Sequence, residues 1–177
     1  MACKSISAFL HDCGKFTQNG LNKIYMIGYH DLLPVSGSTD VYATSVDGIV
    51  NEIGKTVGKS FVKVDQTKKT GGLKETTTIN DNGSVDFTAE FTLSIDNFGA
   101  KNKSFTESLI GVPVVALVQL RSGVWVAIGL DGEFELRSAE GTLDDANNLR
   151  ALTFSGNIDG LIPEVDKTIV PALIALL

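Results

Sequence analysis

Residues 84–96 read SVDFTAEFTLSID, and they alternate apolar and polar side chains without a break. Every second residue from Val85 to Ile95 is apolar, and the residues between them are polar or acidic. Because successive side chains of a strand point to opposite faces, this pattern predicts a β-strand with one buried and one wet face. The strand is much longer than the usual length of about 5–6 residues. We therefore expect it to reach toward something outside its own domain, such as a neighbouring subunit.

The segments on either side of this strand predict a hairpin and a helix. Residues 81–83, Asp-Asn-Gly, are a turn signal that joins the strand to the Thr-rich stretch 73–79. Downstream, residues 103–111 have a helical pattern, with Ser104 as the expected N-cap and Glu107 three residues on. The apolar residues of this helix form one expected stripe: Phe105, Leu109 and Ile110.

Other apolar or alternating runs predict the remaining strands, which we expect at 23–28, 61–64, 114–120, 124–130, 133–137 and 149–158. At least seven strands with one short α-helix predict a mainly β protein. The expected architecture is a rolled β-sandwich or barrel with a long extended hairpin and terminal arms. The predicted organisation is an N-terminal arm at 1–20, a β domain at 21–160 and an apolar C-terminal arm at 161–177.

Charge and apolar content limit the classes of protein that fit. The chain has 177 residues, with 15 basic and 21 acidic side chains and a net charge of −6. An acidic chain does not attract phosphates as a whole, so a regulator that grips DNA is disfavoured. The most apolar run, TIVPALIALL, is much shorter than the ~20 residues of a bilayer span. With no signal-peptide pattern and with Cys3 and Cys13 read as free thiols, we expect a soluble protein made inside a cell.

Enzyme and metal signatures are weak. Cys3, His11 and Cys13 lack a fourth ligand and the spacing typical of zinc sites. Residues 54–60, GKTVGKS, have one residue too few between the glycines for a phosphate-binding loop, and a strand pattern follows instead of a helix. The carboxylates near 131–145 match no calcium-loop spacing. We therefore expect that the protein is not an enzyme and that it has no catalytic, cofactor-binding or metal-binding residues.

The order of these features resembles the tail-tube and neck-ring proteins, also called head–tail connectors, of tailed phages that infect Bacteroidetes, the crAss-like group included. The opening Met1-Ala2-Cys3, the second cysteine at position 13 and the stretch 20–26, GLNKIYM, are similar to the start of that family. The hairpin at 73–96 with its alternating second strand corresponds to the family's next landmark.

The resemblance continues through three later segments and covers residues 1–158. The helix at 103–111, the hairpin at 114–130 and the stretch 141–157 follow in the family's order. Residues 141–149 lack the family's usual glycines, and an apolar tail at 161–177 is added. Whether the chain is a repeated tube subunit or a single specialised ring near the portal stays open here.

The resemblance implies a tail-tube type of sandwich that joins six or twelve copies into a ring. In that family the inner strands form a continuous β-barrel around a DNA channel, next to portal, neck or tail proteins. It implies a virion protein assembled in the host cytoplasm, past which DNA moves during genome ejection without sequence-specific binding. An acidic wall suits that role because it repels phosphate. On this basis the polar side of the long strand is expected to face the lumen or a ring interface: Asp86, Thr88, Glu90, Thr92 and Asp96.

The same resemblance suggests two further contact regions. A ring-stacking loop is expected at Lys68, Lys69, Thr70, Gly71 and Gly72. The two arms are expected to bury apolar side chains against the next subunit or ring: Ile6, Phe9, Leu10, Ile169, Val170, Leu173, Ile174, Leu176 and Leu177. The residues alone leave alternatives open, because the polar strand face also fits a plain solvated surface and the arms also fit a cover over their own core.

A second class of function also fits the pattern. A small non-enzymatic β-sandwich that binds carbohydrate or acts as an adhesin has the same strand content. Such a module normally displays exposed aromatic side chains, whereas Trp125 lies in an apolar strand and is expected in the core.

Overall fold

The computed structural model describes residues 20–66, 71–96, 99–143 and 148–175. Two α-helices occur in this part, α1 (Ala100–Leu109) and α2 (Val170–Ile174), besides a 3-10 turn at Tyr29–Asp31. The strands in chain order are β1 (Leu21–Gly28), β2 (Tyr42–Thr44), β3 (Val50–Ile53), β4 (Val62–Lys63), β5 (Gly72–Ile79), β6 (Val85–Asp96), β7 (Val114–Leu120), β8 (Trp125–Ile128), β9 (Glu135–Leu143), β10 (Asn148–Ile158) and β11 (Glu164–Val165).

The strands form two sheets. The seven-stranded sheet has the order β2-β3-β11-β8-β7-β1-β4, and the four-stranded sheet has the order β5-β6-β10-β9. All neighbours pair antiparallel except β11 and β3, which are parallel. This arrangement confirms the prediction of a mainly β, sandwich-like fold, and it confirms the hairpin of β5 and β6 around the turn at 81–83.

One apolar core lies between the two sheets. On the four-stranded sheet, the apolar residues of the alternating strand β6 face inward, and Phe91 and Leu93 are buried. On the neighbouring strand β10, Phe154 lies opposite Phe91 of β6, and the centroids of the two rings are 6.1 Å apart. The seven-stranded sheet contributes Ile24 of β1 and Val118 of β7 to the same core. Strand β6 therefore has one buried and one wet face, as its alternating sequence predicts.

Two backbone segments approach each other closely at Gly156, beside this core. A Cβ on Gly156 of β10 would lie only 2.1 Å from the carbonyl oxygen of Glu133. The chain passes directly against the sheet at this glycine and places Phe134 in the core, where it stacks on Phe154 with ring centroids 6.0 Å apart.

A second apolar core covers the opposite face of the seven-stranded sheet. Leu117 of β7 faces it, as do Trp125 of β8 and Val50 of β3. Phe61, which immediately precedes β4 at the far end of the sheet, belongs to the same cluster. Residues from strands at both ends of the sheet therefore belong to one continuous apolar cluster.

The described residues of the C-terminal segment, where the sequence predicts an apolar arm at 161–177, pack against the seven-stranded sheet. Strand β11 lies within the seven-stranded sheet between β3 and β8. Helix α2 follows it and buries Val170 and Leu173 in the second core, with Ile169 and Ile174 partly buried beside them. The backbone N–H of Phe61 donates to the carbonyl of Leu173 at 3.1 Å. The apolar side chains of α2 thus cover part of this face of the seven-stranded sheet.

The boundaries of several elements differ from the sequence expectations. Helix α1 begins at Ala100, so Ser104 lies inside it, and its N-cap Gly99 makes no side-chain capping bond. Ile110 is 65% exposed because it follows the last helical turn in extended backbone. Strand β9 continues to Leu143, past the expected end at 137, because it pairs along most of β10. The short strands β2, β3 and β11 were not expected, since their pairing partners lie far away in sequence.

No helix in the described part of the chain is long and apolar enough to cross a membrane.

Candidate functional site

The outer face of the four-stranded sheet, which is turned away from the core, is the candidate functional surface. Four of the predicted residues lie on this outer face, all from β6. Asp86, Thr88 and Glu90 are exposed, and Thr92 is half-buried. The strand position of Asp96 belongs to the same face by register, opposite Leu149. Its side chain lies outside the described residues.

The sheet register adds neighbours that the sequence did not identify. On β5, Thr76 lies opposite Thr88, and Lys74 lies opposite Glu90. On β10, Asn157 and Ser155 lie opposite the same two β6 residues. Together with residues of β9 they line a polar depression of about 580 Å³: Lys74, Thr76, Thr88, Glu90, Glu135, Arg137, Ser155 and Asn157. The alternation within each strand hinted at these residues, but only the pairing places them on one surface.

The charge of this outer face is negative, and one of its two cations contacts an acidic neighbour. A guanidinium nitrogen of Arg137 lies 3.6 Å from a carboxylate oxygen of Glu135. The Nε–H of Arg137 also donates to the carbonyl of Ser155 at 3.4 Å. The acidic side chains on the described part of the face are Asp86, Glu90, Glu135 and Glu140, and the basic ones are Lys74 and Arg137.

The two edges of the four-stranded sheet are unpaired within the described residues. Strand β5 forms one edge and β9 the other, and each pairs with one neighbour only. Residues 74–79 of β5 and 139–143 of β9 are exposed on both faces. Long, exposed edges are templates for pairing with another chain. The hairpin of β5 and β6 also ends in an exposed apolar pair, Ile79 opposite Val85.

A small cluster of acidic groups lies where β10 ends. The backbone N–H of Asp159 donates to a carboxylate oxygen of Asp131 at 3.1 Å. Burial is the main cause that raises the pKa of the Asp131 carboxyl, and the nearby charges of Asp159 and Glu133 add to the rise, while this hydrogen bond opposes it. Burial, followed by the charge of Asp131, also raises the pKa of Tyr42. Among the described residues no group of three or more His, Cys, Asp or Glu side chains is arranged to hold a metal ion.

The other predicted contact residues have mixed outcomes. Of the predicted stacking loop, Lys68, Lys69 and Thr70 lie outside the described residues. The Gly71 N–H donates to the side-chain oxygen of Gln66 at 2.9 Å, and Gly72 is the first residue of β5.

The predicted arm residues divide in the same way. Five of them lie outside the described residues: Ile6, Phe9, Leu10, Leu176 and Leu177. In the C-terminal segment, Val170 and Leu173 are each 4% exposed, covered by their own chain. These two side chains therefore match the alternative in which the tail covers its own core.

Comparison of the sequence with models of protein families gave no match, and comparison with curated proteins gave no match.

Proposed function

We propose that this chain is a structural subunit of a tailed-phage virion, in the tail tube or neck. Copies of it form a ring or tube segment that encloses the DNA conduit between portal and tail. The observation that carries the proposal is the four-stranded sheet, which combines a polar, net-acidic outer face with two unpaired edges in the described residues. The order of sequence features that resembles tail-tube and neck-ring proteins supports the same conclusion.

The chemistry of the outer face suits a surface past which DNA moves. Carboxylates such as Glu90 and Glu140 repel phosphate, and the contact between Arg137 and Glu135 lowers the attraction of that cation for DNA. Hydroxyl groups of Thr88 and Thr92 keep the remaining surface wet without adding positive charge. DNA therefore passes without sequence-specific contacts.

A carbohydrate-binding module has less support from the same surface. The side chains that line the polar depression include no aromatic ring. Trp125 is 8% exposed and packs in the second core, where its ring lies 6.0 Å from that of Tyr25. Sugar-binding surfaces normally offer an exposed aromatic face.

Electron microscopy of the concentrated, purified protein and a search for the protein in purified phage particles test the proposal together. We expect rings or tubes with an open centre, and we expect the protein in the tail or neck of the particle. A protein that stays monomeric at every concentration and is missing from the particles contradicts the proposal.

A charge reversal tests which face lines the conduit. We expect Glu90→Lys, on the outer face, to make assembled rings retain double-stranded DNA at low salt. The matched control is Glu52→Lys on β3, an exposed strand residue of the other sheet. Equal DNA retention by the two variants would show that the outer face does not line the channel.

A further inference from the structure

We propose that β9 of one copy pairs antiparallel with β5 of the next at a defined register, in which Lys74 lies opposite Glu140 of the next copy. This inference rests on the proposed function, since it specifies how the copies join. The partner is a second copy of this chain. The argument uses the strand directions, the edge lengths and the charges of the two edges.

The strand directions permit this pairing. Each of the three strand pairs in the sheet order β5-β6-β10-β9 is antiparallel. Strands β5 and β9 of one copy therefore run in opposite directions. When the sheets of two copies join edge to edge, β9 and the next β5 are antiparallel, and the alternation continues without a break.

For β9 of one copy and β5 of the next to overlap along most of their length, the next copy must be shifted along the strand direction. Followed across one sheet, Lys74 lies level with Glu90, Ser155 and Glu135 in turn. If the next copy joined level with the first, only the residues from Gly72 to Lys74 would meet β9. Sliding the next copy by four residues toward the C-terminal end of β9 brings seven of the eight β5 residues, 72–78, opposite β9. The same slide in the other direction leaves no overlap.

An offset of this size is also what a closed barrel needs. Barrels of parallel strands with one residue of stagger per strand have a strand tilt of about 36°, within the usual range for barrels of about 35–45°. Each copy contributes four strands. Four residues of offset per copy therefore give this tilt, whatever the number of copies in the ring.

Face and charge select this register among its neighbours. The offset must be even, because an odd one would turn the wet side chains of one copy to the core side of the next. At an offset of four, Lys74 lies opposite Glu140, and both are exposed on the outer face. An offset of six pairs as many residues but sets Lys74 opposite Thr142, and an offset of two sets it opposite Ser138 with less overlap. Opposite charges that face each other across strands stabilise the pair.

Disulfide trapping tests the register. In a background in which Cys3 and Cys13 are replaced by serine, we compare Lys74→Cys combined with Glu140→Cys against Lys74→Cys combined with Thr142→Cys. Directly opposed antiparallel residues have Cα atoms about 4.5–5.5 Å apart, within the range of a disulfide. Within one copy β5 and β9 are three strand spacings apart, or about 14 Å, so a bond must join two copies.

We expect mild oxidation of concentrated protein to give a ladder of multimers for the first pair and much less for the second. A stronger ladder for the control pair, or rings without a 74–140 ladder, overturns the register and leaves the ring proposal standing. A 74–140 ladder in open ribbons without rings supports the register and contradicts the proposed function. If neither rings nor a ladder form, both the register and the proposed function are overturned.

A charge swap gives a second readout that does not depend on cysteines. We expect Lys74→Glu alone, or Glu140→Lys alone, to weaken association about 2–5-fold per contact at low salt, as for an exposed ion pair. The double variant restores association. Single variants that assemble as the wild type does, or a double variant that rescues nothing, contradict the pair.

Discussion

The two sheets differ in how many of their faces are covered. In the seven-stranded sheet, the five residues Val114–Val118 of β7 are all buried, because one core lies on each side. In the four-stranded sheet, β6 buries only every second residue, and its other side chains meet solvent. The continuous apolar run and the alternating run are the sequence forms of these two situations. The comparison shows that the first sheet is covered on both faces, whereas the second sheet leaves one face open to solvent.

The largest expected effect comes from the core that the two sheets share. Phe154→Ala removes a fully buried ring that contacts both Phe91 and Phe134, so we expect the free energy of unfolding to fall by about 3–5 kcal/mol. Urea unfolding followed by tryptophan fluorescence measures it. The control is Thr88→Ala on the wet side of β6, where a change within about 0.5 kcal/mol is expected. Similar losses for the two variants would contradict the division into a buried and a wet face.

A smaller loss is expected from the cover on the second face of the seven-stranded sheet. Leu173→Ala leaves a cavity in the second core, and we expect a loss of about 2–4 kcal/mol in the isolated chain at low concentration. The control is Leu161→Ala in the same C-terminal segment, because Leu161 is 63% exposed and its truncation should cost little. If Leu173→Ala changed only the assembly of copies and not the unfolding of the monomer, the tail would serve as an intersubunit arm after all.

The smallest effect concerns Asp131, near the end of β10. Because its pKa is raised in the folded state, its ionisation costs stability as the pH rises above the ordinary value of 3.8. We expect Asp131→Asn to raise the free energy of unfolding at pH 7 by no more than ~0.5 kcal/mol, the usual range for substitutions outside the core. This gain should disappear below about pH 3.8, where the Asp131 carboxyl is protonated in both the folded and the unfolded chain.

Asp166 provides the matched control of opposite sign. The backbone N–H of Thr168 donates to the Asp166 carboxylate at 2.8 Å and is the main cause that lowers the pKa of this group. Asp166→Asn should therefore destabilise the chain at pH 7, and the difference should fade as the pH drops through the lowered pKa. Unfolding curves at pH 3 and pH 7 check both signs, and equal shifts for the two variants would contradict the environments described for these carboxyls.

The sequence by itself determined the fold class and the wet face of β6. Residues 84–96 alternate strictly, so their two faces follow from the strand period alone. The turn at 81–83 likewise determined the hairpin, since Gly83 adopts a positive φ of 82° that glycine tolerates well. These are local properties of the chain, which is why they are readable without any partner strand.

Only the tertiary structure decided which strands neighbour each other, where the C-terminal segment lies and which residues share the outer face. Strand β11 pairs with β3, more than 100 residues earlier in the chain, and nothing local in its two residues marks them as a strand. Lys74, Glu90, Ser155 and Glu135 come together through pairing between distant segments. Register of this kind depends on which apolar faces bury one another best, and that is a property of the packed core as a whole.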